Sequence, residues 1–384
     1  MLINKLGRSF YLRCLMFDDI RPFRDNEVTT VINKLINEDE FQASVAQLVM
    51  PRLYRLAPWF AKKTIKVSLK FRTKSFTTIN QIHLEVAKYL KGIIHKSAKG
   101  FSCHGLENFD VNKPALFISN HRDIVLDAAL VNLALYEKGL NTAESAVGDN
   151  LLTTSWVADL MRLNKSFIVK RSETTKREML QAAKTLSAYI HHSITQSKQN
   201  IWIAQREGRA KDGLDKTNPA LISMLLLNKD KTTAISDYLA QINIIPVAIS
   251  YEFDPCDNQK AIELATKEST GEYNKKDNED LSSITKGLLG QKGRIHLEFC
   301  RPLQGDFQNS KAVASAIDQQ IIGHYKLFSS NYAAFAHLND KFTDHLVLKK
   351  LKERMKGLDE LQQHWLLTMY ANPVLAKLSL NQCV

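Results

Sequence analysis

From residue 16 to about 95 the apolar positions recur at helical spacing: Val28, Val31, Ile32, Leu35 and Ile36 fall one, three or four apart and predict helices. From about 96 to 305 the pattern changes. Short apolar runs, bounded by Pro, Gly or polar residues, alternate with longer amphipathic stretches. Ala115–Ser119, Phe167–Val169, Asn200–Ala204, Ile244–Tyr251 and Arg294–Phe299 predict five strands. Ile124–Leu135 predicts a helix ended by Gly139. Met179, Ala183, Leu186, Ile190 and Ile194 predict a long amphipathic helix that Ser172 could cap. Asp254 to Asp280 is polar and charged and reads as a mobile insertion. After residue 310 the helical pattern returns, and no internal repeat occurs. Strands separated by helices predict an α/β fold, a mixed sheet flanked by helices, with N- and C-terminal helical extensions. The expected division is a helical region over 1–95, an α/β domain over 96–310 and a helical extension over 311–384.

Charge changes the picture next. The chain has 384 residues, an ordinary hydrophobic fraction of 44% and a net charge of +12. Such a balance points to an acidic partner: nucleic acid, anionic lipid or phosphorylated small molecules. The basic residues concentrate between Pro51 and Ser75, where Arg52, Arg55, Lys62, Lys63, Lys66, Lys70, Arg72 and Lys74 occur without an acidic residue. Tyr54, Trp59, Phe60, Val67, Leu69 and Phe71 are interleaved with them. This mixture suits an anionic membrane surface, and it equally describes a solvated basic helix face. Lys349–Lys356 forms a second basic segment. No groove-reading motif accompanies either, so no nucleic-acid partner is expected.

No run approaches the roughly 18 apolar residues of a membrane span. Arg13 interrupts what would be the apolar core of a signal peptide, so a cytoplasmic protein is expected, with Met16 as a possible start. Cys14, Cys103, Cys256, Cys300 and Cys383 are scattered without ligand spacing, so neither a disulfide framework nor a metal site is indicated.

The chemistry lies at the strand ends. The first strand ends at Ser119 and is followed by Asn120, His121, Arg122, Asp123 and Asp127. A His at a strand mouth, with a carboxylate to fix its tautomer, suits a general base. Counted along a helix, Asp127 lies about 240° around from His121, so the His must precede the helix. Asp123 is the rival partner, although so close to the His it could instead cap the helix. Lys170 and Arg171 follow the second strand. Gln205–Gly213, containing Glu207, Gly208 and Arg209, follows the third. If these strands are neighbours, a base would face cations and a glycine turn suited to phosphate.

These residues resemble the glycerolipid acyltransferases, which act on glycerol-3-phosphate or lysophosphatidic acid. The resemblance spans roughly residues 96 to 305. Asn120-His121 with Asp127 resembles the family's first motif, Phe167-Ile168-Val169-Lys170-Arg171 its second and Glu207-Gly208-Arg209-Ala210 its third. Ile245-Pro246-Val247 resembles its fourth, and Gly293–Phe299 with Arg301-Pro302-Leu303 a late strand and its exit. Two positions depart from the pattern. Five residues rather than four separate His121 from Asp127, and one residue is missing between Gly208 and Arg209. The resemblance implies a glycerol-3-phosphate acyltransferase-like fold. It also implies transfer of a fatty acyl group from acyl-CoA or acyl-carrier protein to a lysophospholipid hydroxyl. His121 would be the base and Asp127 its partner. Lys170, Arg171, Gly208 and Arg209 would hold the acceptor phosphate, and Glu207 would orient them. No metal or redox cofactor is implied. Peripheral attachment to the inner face of an anionic membrane is expected. Glycerol-3-phosphate or another lysolipid as acceptor, and a non-catalytic membrane-binding relative with degenerate motifs, are the alternatives.

Overall fold

Every residue of β2 (Leu116–Ser119) is buried, as a strand flanked by parallel neighbours requires. A computed structural model of the chain describes residues 17–152, 154–276, 279–340 and 345–382. Met16, the residues before it and Cys383 lie outside these; Cys103, Cys256 and Cys300 are free thiols. The described residues fall into two compact units. One takes the residues up to Tyr89 with Glu144–Thr185, the other Leu90–Ala143 with Leu186 onward. The chain therefore leaves the larger unit and returns to it, which cuts across the linear division at 95 and 310.

The larger unit holds β1 (Ala98–His104), β2, β5 (Asn200–Ala204), β6 (Ile244–Tyr251) and β7 (Gly293–Phe299), side by side in the order β1-β7-β6-β2-β5. β1 and β7 run parallel, as do β6 and β2, and β2 and β5; β6 and β7 are antiparallel. The expected mixed sheet flanked by helices is present. In register, Ser119 faces Ala204 on one side and Val247 on the other. The carboxyl ends of β2 and β5 therefore meet, where ligands of such sheets gather. The helix Leu126–Glu137 is apolar almost all round and packs on Phe117, Trp202, Ile245, Val247, Leu297 and Phe299.

The C-terminal helices belong to this same unit. Leu351, Leu366, Met369 and Tyr370 form one core with Phe253 and Ala261. The polar stretch after Asp254 is accordingly no mobile insertion. It contains the helix Asp257–Thr270, in which Asp257, Lys260 and Glu263 are buried. Their charges are paired within the fold. Lys260 Nζ lies 2.5 Å from Asp254 Oδ2, Arg354 bonds Asp257, and Lys211 bonds Glu263. Buried ions are tolerated when paired in this way.

The smaller unit contains the helices Asp25–Asn37, Asp39–Val49, Pro51–Leu56 and Pro58–Thr73, and the parallel pair β3 (Ala143–Gly148) and β4 (Ser166–Val169). Val28, Val31, Ile32, Leu35 and Ile36, the residues of the helical spacing, are all buried in its core with Phe41, Ile79, Ile82 and Leu163. The helix Lys176–Thr195 is capped differently from expectation. Thr175 and Glu178 exchange bonds as a capping box, while the Ser172 hydroxyl donates to Asp149 at 2.6 Å.

His83 gives this unit a pH dependence. Burial, and then the charge of Lys165, push its pKa down to about 4. The unfolded value is about 6.5. Between these values the unfolded chain binds the extra proton, so stability is complete above the upper one and falls as pH drops toward the lower. Urea denaturation between pH 4.5 and 6.5 is expected to show this loss, at most about 1.4 kcal/mol per pH unit. In His83→Gln that part of the slope should be absent.

Candidate active site

The turn between β2 and the helix Leu126–Glu137 is fastened from both sides. The buried Asn120 amide donates to the Ile249 carbonyl at 2.9 Å and accepts from the Ile249 amide at 2.8 Å. This extends the contact between β2 and β6 beyond their ladder. From the other side, the Ala210 amide donates to the His121 carbonyl at 2.7 Å. The turn after β5 is thus tied to the His-bearing turn after β2.

His121 precedes the helix, as its spacing from Asp127 requires. Its Nδ1 lies 3.0 Å from Asp127 Oδ2, and its side chain keeps 15% of its surface exposed while Asp127 keeps none. Asp127 is held by further donors. Oδ2 accepts from the amides of Arg122 at 2.6 Å and Asp123 at 2.9 Å, and Oδ1 accepts from the Tyr251 hydroxyl at 2.9 Å. Burial, and then the Asp127 charge, raise the Tyr251 phenol well above its ordinary pKa, so it remains a proton donor. An acceptor so fixed favours the imidazole proton on Nδ1, the tautomer in which the Nε2 lone pair can accept a proton. The Trp202 ring stands edge-on to His121 with centroids 6.4 Å apart. Asp123 does the other job foreseen for it: its Oδ1 accepts from the amides of Val125 and Leu126 at the helix start.

Comparison with known proteins adds one decisive match. Residues 100–250 match the family model described as Acyltransferase. That segment is similar to the acyltransferases. No curated protein matches the chain. Among solved structures it is similar to PlsC, the 1-acyl-sn-glycerophosphate (LPA) acyltransferase from Thermotoga maritima. The identity is 11%, the TM-score 0.38, and the alignment covers 74% of this chain and 95% of that one.

Within the matched segment the structure joins the first and third motifs, because β2 and β5 are neighbours. Gly208, at φ +73°, makes the left-handed turn that glycine allows. Glu207 and Gly208 are exposed and Arg209 is half-buried. Lys170 and Arg171 lie in the smaller unit. There Lys170 Nζ pairs with Asp19 Oδ2 at 2.5 Å and the Arg171 amide donates to Asp149 at 3.0 Å.

Three residues around the His121 turn escape a reading of motifs: Tyr251, Asp215 and Lys260. Tyr251 reaches Asp127 from the end of β6. Arg122 is buried and pairs with Asp215 Oδ2 at 2.6 Å, also donating to the Gly213 carbonyl at 3.1 Å. Burial alone would lower the Arg122 pKa, but the Asp215 charge outweighs it and holds the guanidinium protonated. Lys260 Nζ donates to the Arg122 carbonyl at 2.6 Å. The position of Tyr251 at a strand end was a usable signal. Asp215 and Lys260 carried none, being distant in sequence and typical of surface residues.

Proposed function

We propose that the protein is an O-acyltransferase that moves a fatty acyl group from acyl-CoA or acyl-carrier protein to the free hydroxyl of a lysophosphatidic acid-type acceptor. The observation that carries this reading is the bond from half-buried His121 to fully buried Asp127, inside a segment matching acyltransferases. His121 Nε2 takes the acceptor hydroxyl proton as the oxygen attacks the thioester carbonyl. The resulting imidazolium is stabilised by Asp127. Collapse of the tetrahedral adduct releases the thiolate, which takes the proton back from His121. The new ester and the free thiol are the products. The substrate hydroxyl is the nucleophile, so no serine or cysteine of the chain is required.

Labelled acyl-CoA and acyl-carrier protein, each offered with lysophosphatidic acid, glycerol-3-phosphate, other lysolipids and an uncharged monoacylglycerol, test the proposal. Transfer to lysophosphatidic acid is expected to lead the panel. Absence of transfer to every acceptor would reject it.

Arg209 is the cation we assign to the acceptor phosphate, with the Gly208 amide and Glu207 beside it on the turn after β5. A charge-assisted hydrogen bond contributes about 1.5–3 kcal/mol, so Arg209→Ala should lower kcat/KM for lysophosphatidic acid roughly 10- to 150-fold. The monoacylglycerol rate should barely change. Equal losses on both acceptors would assign Arg209 a structural task.

The acceptor resides in a membrane, and no described helix is long and apolar enough to cross one. We assign membrane contact to the helices Pro51–Leu56 and Pro58–Thr73. Only Ala61 and Ile65 of these are buried, while Leu56, Trp59 and Phe71 are 84%, 67% and 83% exposed. Basic side chains among exposed apolar ones match an anionic interface. Each Lys near such a surface contributes about 1 kcal/mol, screened by salt. Replacing Lys62, Lys63, Lys66 and Lys70 with Gln should abolish sedimentation with anionic vesicles but spare activity on detergent-dispersed substrate. Unchanged sedimentation would move the contact elsewhere, first to Lys349–Lys356.

A further inference from the structure

β1 and β7 bring together three side chains whose positions in the sequence show no ligand spacing. In the parallel register Ser102 faces His296 and His104 faces Glu298. Alternation along each strand puts these four side chains on one face of the sheet. On β6, Ser250 pairs with His296 and Tyr251 with Ile295, so Tyr251 and its Asp127 contact lie on the opposite face. The cluster is therefore separate from the acyl-transfer site.

Its geometry is that of a partly assembled ligand set. Glu298 Oε2 lies 3.0 Å from His296 Nε2 and 3.9 Å from His104 Nδ1. The three donor atoms all fall within 4.8 Å of one another. Ligand atoms around a tetrahedral zinc ion stand about 3.3 Å apart, given bonds near 2.0–2.1 Å, so small side-chain movements close the set. The imidazoles meet edge to face, centroids 5.0 Å apart. His296 is also oriented from behind, its Nδ1 lying 2.8 Å from the Ser102 hydroxyl. A hydrogen bond on the second nitrogen is the usual support for a metal-bound histidine. With Nδ1–H donated to Ser102, loss of the proton shared between Nε2 and Glu298 turns both atoms into donors for a cation. His104 is 64% exposed on its side chain, which leaves a path for entry.

We propose that His104, His296 and Glu298 bind one divalent transition-metal ion of the zinc class, with water completing the coordination. The ion clips β1, the terminal strand in the order, to β7. Metal ligation requires neutral imidazoles and an ionised carboxylate, so binding releases any proton shared between Glu298 and the two rings.

The test uses the full chain after chelator treatment, titrated with Zn²⁺ by calorimetry and with Co²⁺ by visible absorption. One ion per chain and a cobalt spectrum of nitrogen–oxygen ligation are expected. Zn²⁺ should also raise the melting temperature. His104 is exposed, so His104→Ala should fold and weaken binding by at least tenfold. Glu298→Gln should do the same and abolish the melting shift. Absence of saturable binding, or equal binding by the parent and His104→Ala, would overturn the proposal.

Discussion

His121→Ala is expected to lower the acyl-transfer rate by about 10²–10⁴, the usual contribution of a positioned general base, while the protein keeps its fold. His121 stands at a strand mouth with part of its surface exposed, and truncating it leaves the Asn120 clamp on β6 intact. A folded variant that keeps more than about a tenth of the rate would refute the assignment. The two carboxylates separate in the same assay. Asp127→Asn should be nearly as severe, because an amide no longer enforces the Nδ1–H tautomer. Asp123→Asn should act mainly on stability, since Asp123 holds the first amides of the helix. The reverse ranking would exchange their roles.

Arg122→Met is expected to destabilise the larger unit by about 3–5 kcal/mol, the cost of leaving a buried ion without its partner. Asp215 is buried, and of its side-chain donors only the Asn120 amide would remain. Replacing both members of a buried pair by apolar residues is often neutral. The double variant Arg122→Met/Asp215→Leu should therefore recover much of the lost stability in urea denaturation. It should not recover the full rate, because the turn around His121 would lose the bonds of the Arg122 guanidinium to Asp215 and Gly213. Equal destabilisation by single and double variants would show that packing of the Arg122 stem, and not its charge, matters.

The part of the site that could be read in the sequence is the part built from one contiguous segment. Asn120, His121 and Asp127 share a strand, a turn and a helix start, so spacing alone decides their order in space. β2, β5 and β6 announced themselves as apolar runs. β1 and β3 did not, for physical reasons. Ala98–His104 has no alternation and is only half-buried, and Ala143–Gly148 is made largely of small residues with weak strand preference. The stretch after Asp254 misled because polarity was taken as exposure. Its charges are neutralised by Arg354 and by Lys260 inside the fold, and Tyr370 donates to Asp257 from more than a hundred positions away. Pairings of this kind are invisible to any window moved along a chain.

The placement of β7 bears on how the protein could be divided in the laboratory. The acyltransferase match closes at residue 250, yet β7 begins at Gly293 and lies between β1 and β6. A fragment cut at the edges of that match would hold both walls of a gap and lack the strand that fills it. β6 and β1 would each present unpaired backbone to solvent, an invitation to aggregation. Lys260, which bonds the carbonyl beside His121, would be missing as well. Recognition by motif and autonomy in folding thus have different borders here, and a fragment has to run past Phe299 to close its own sheet.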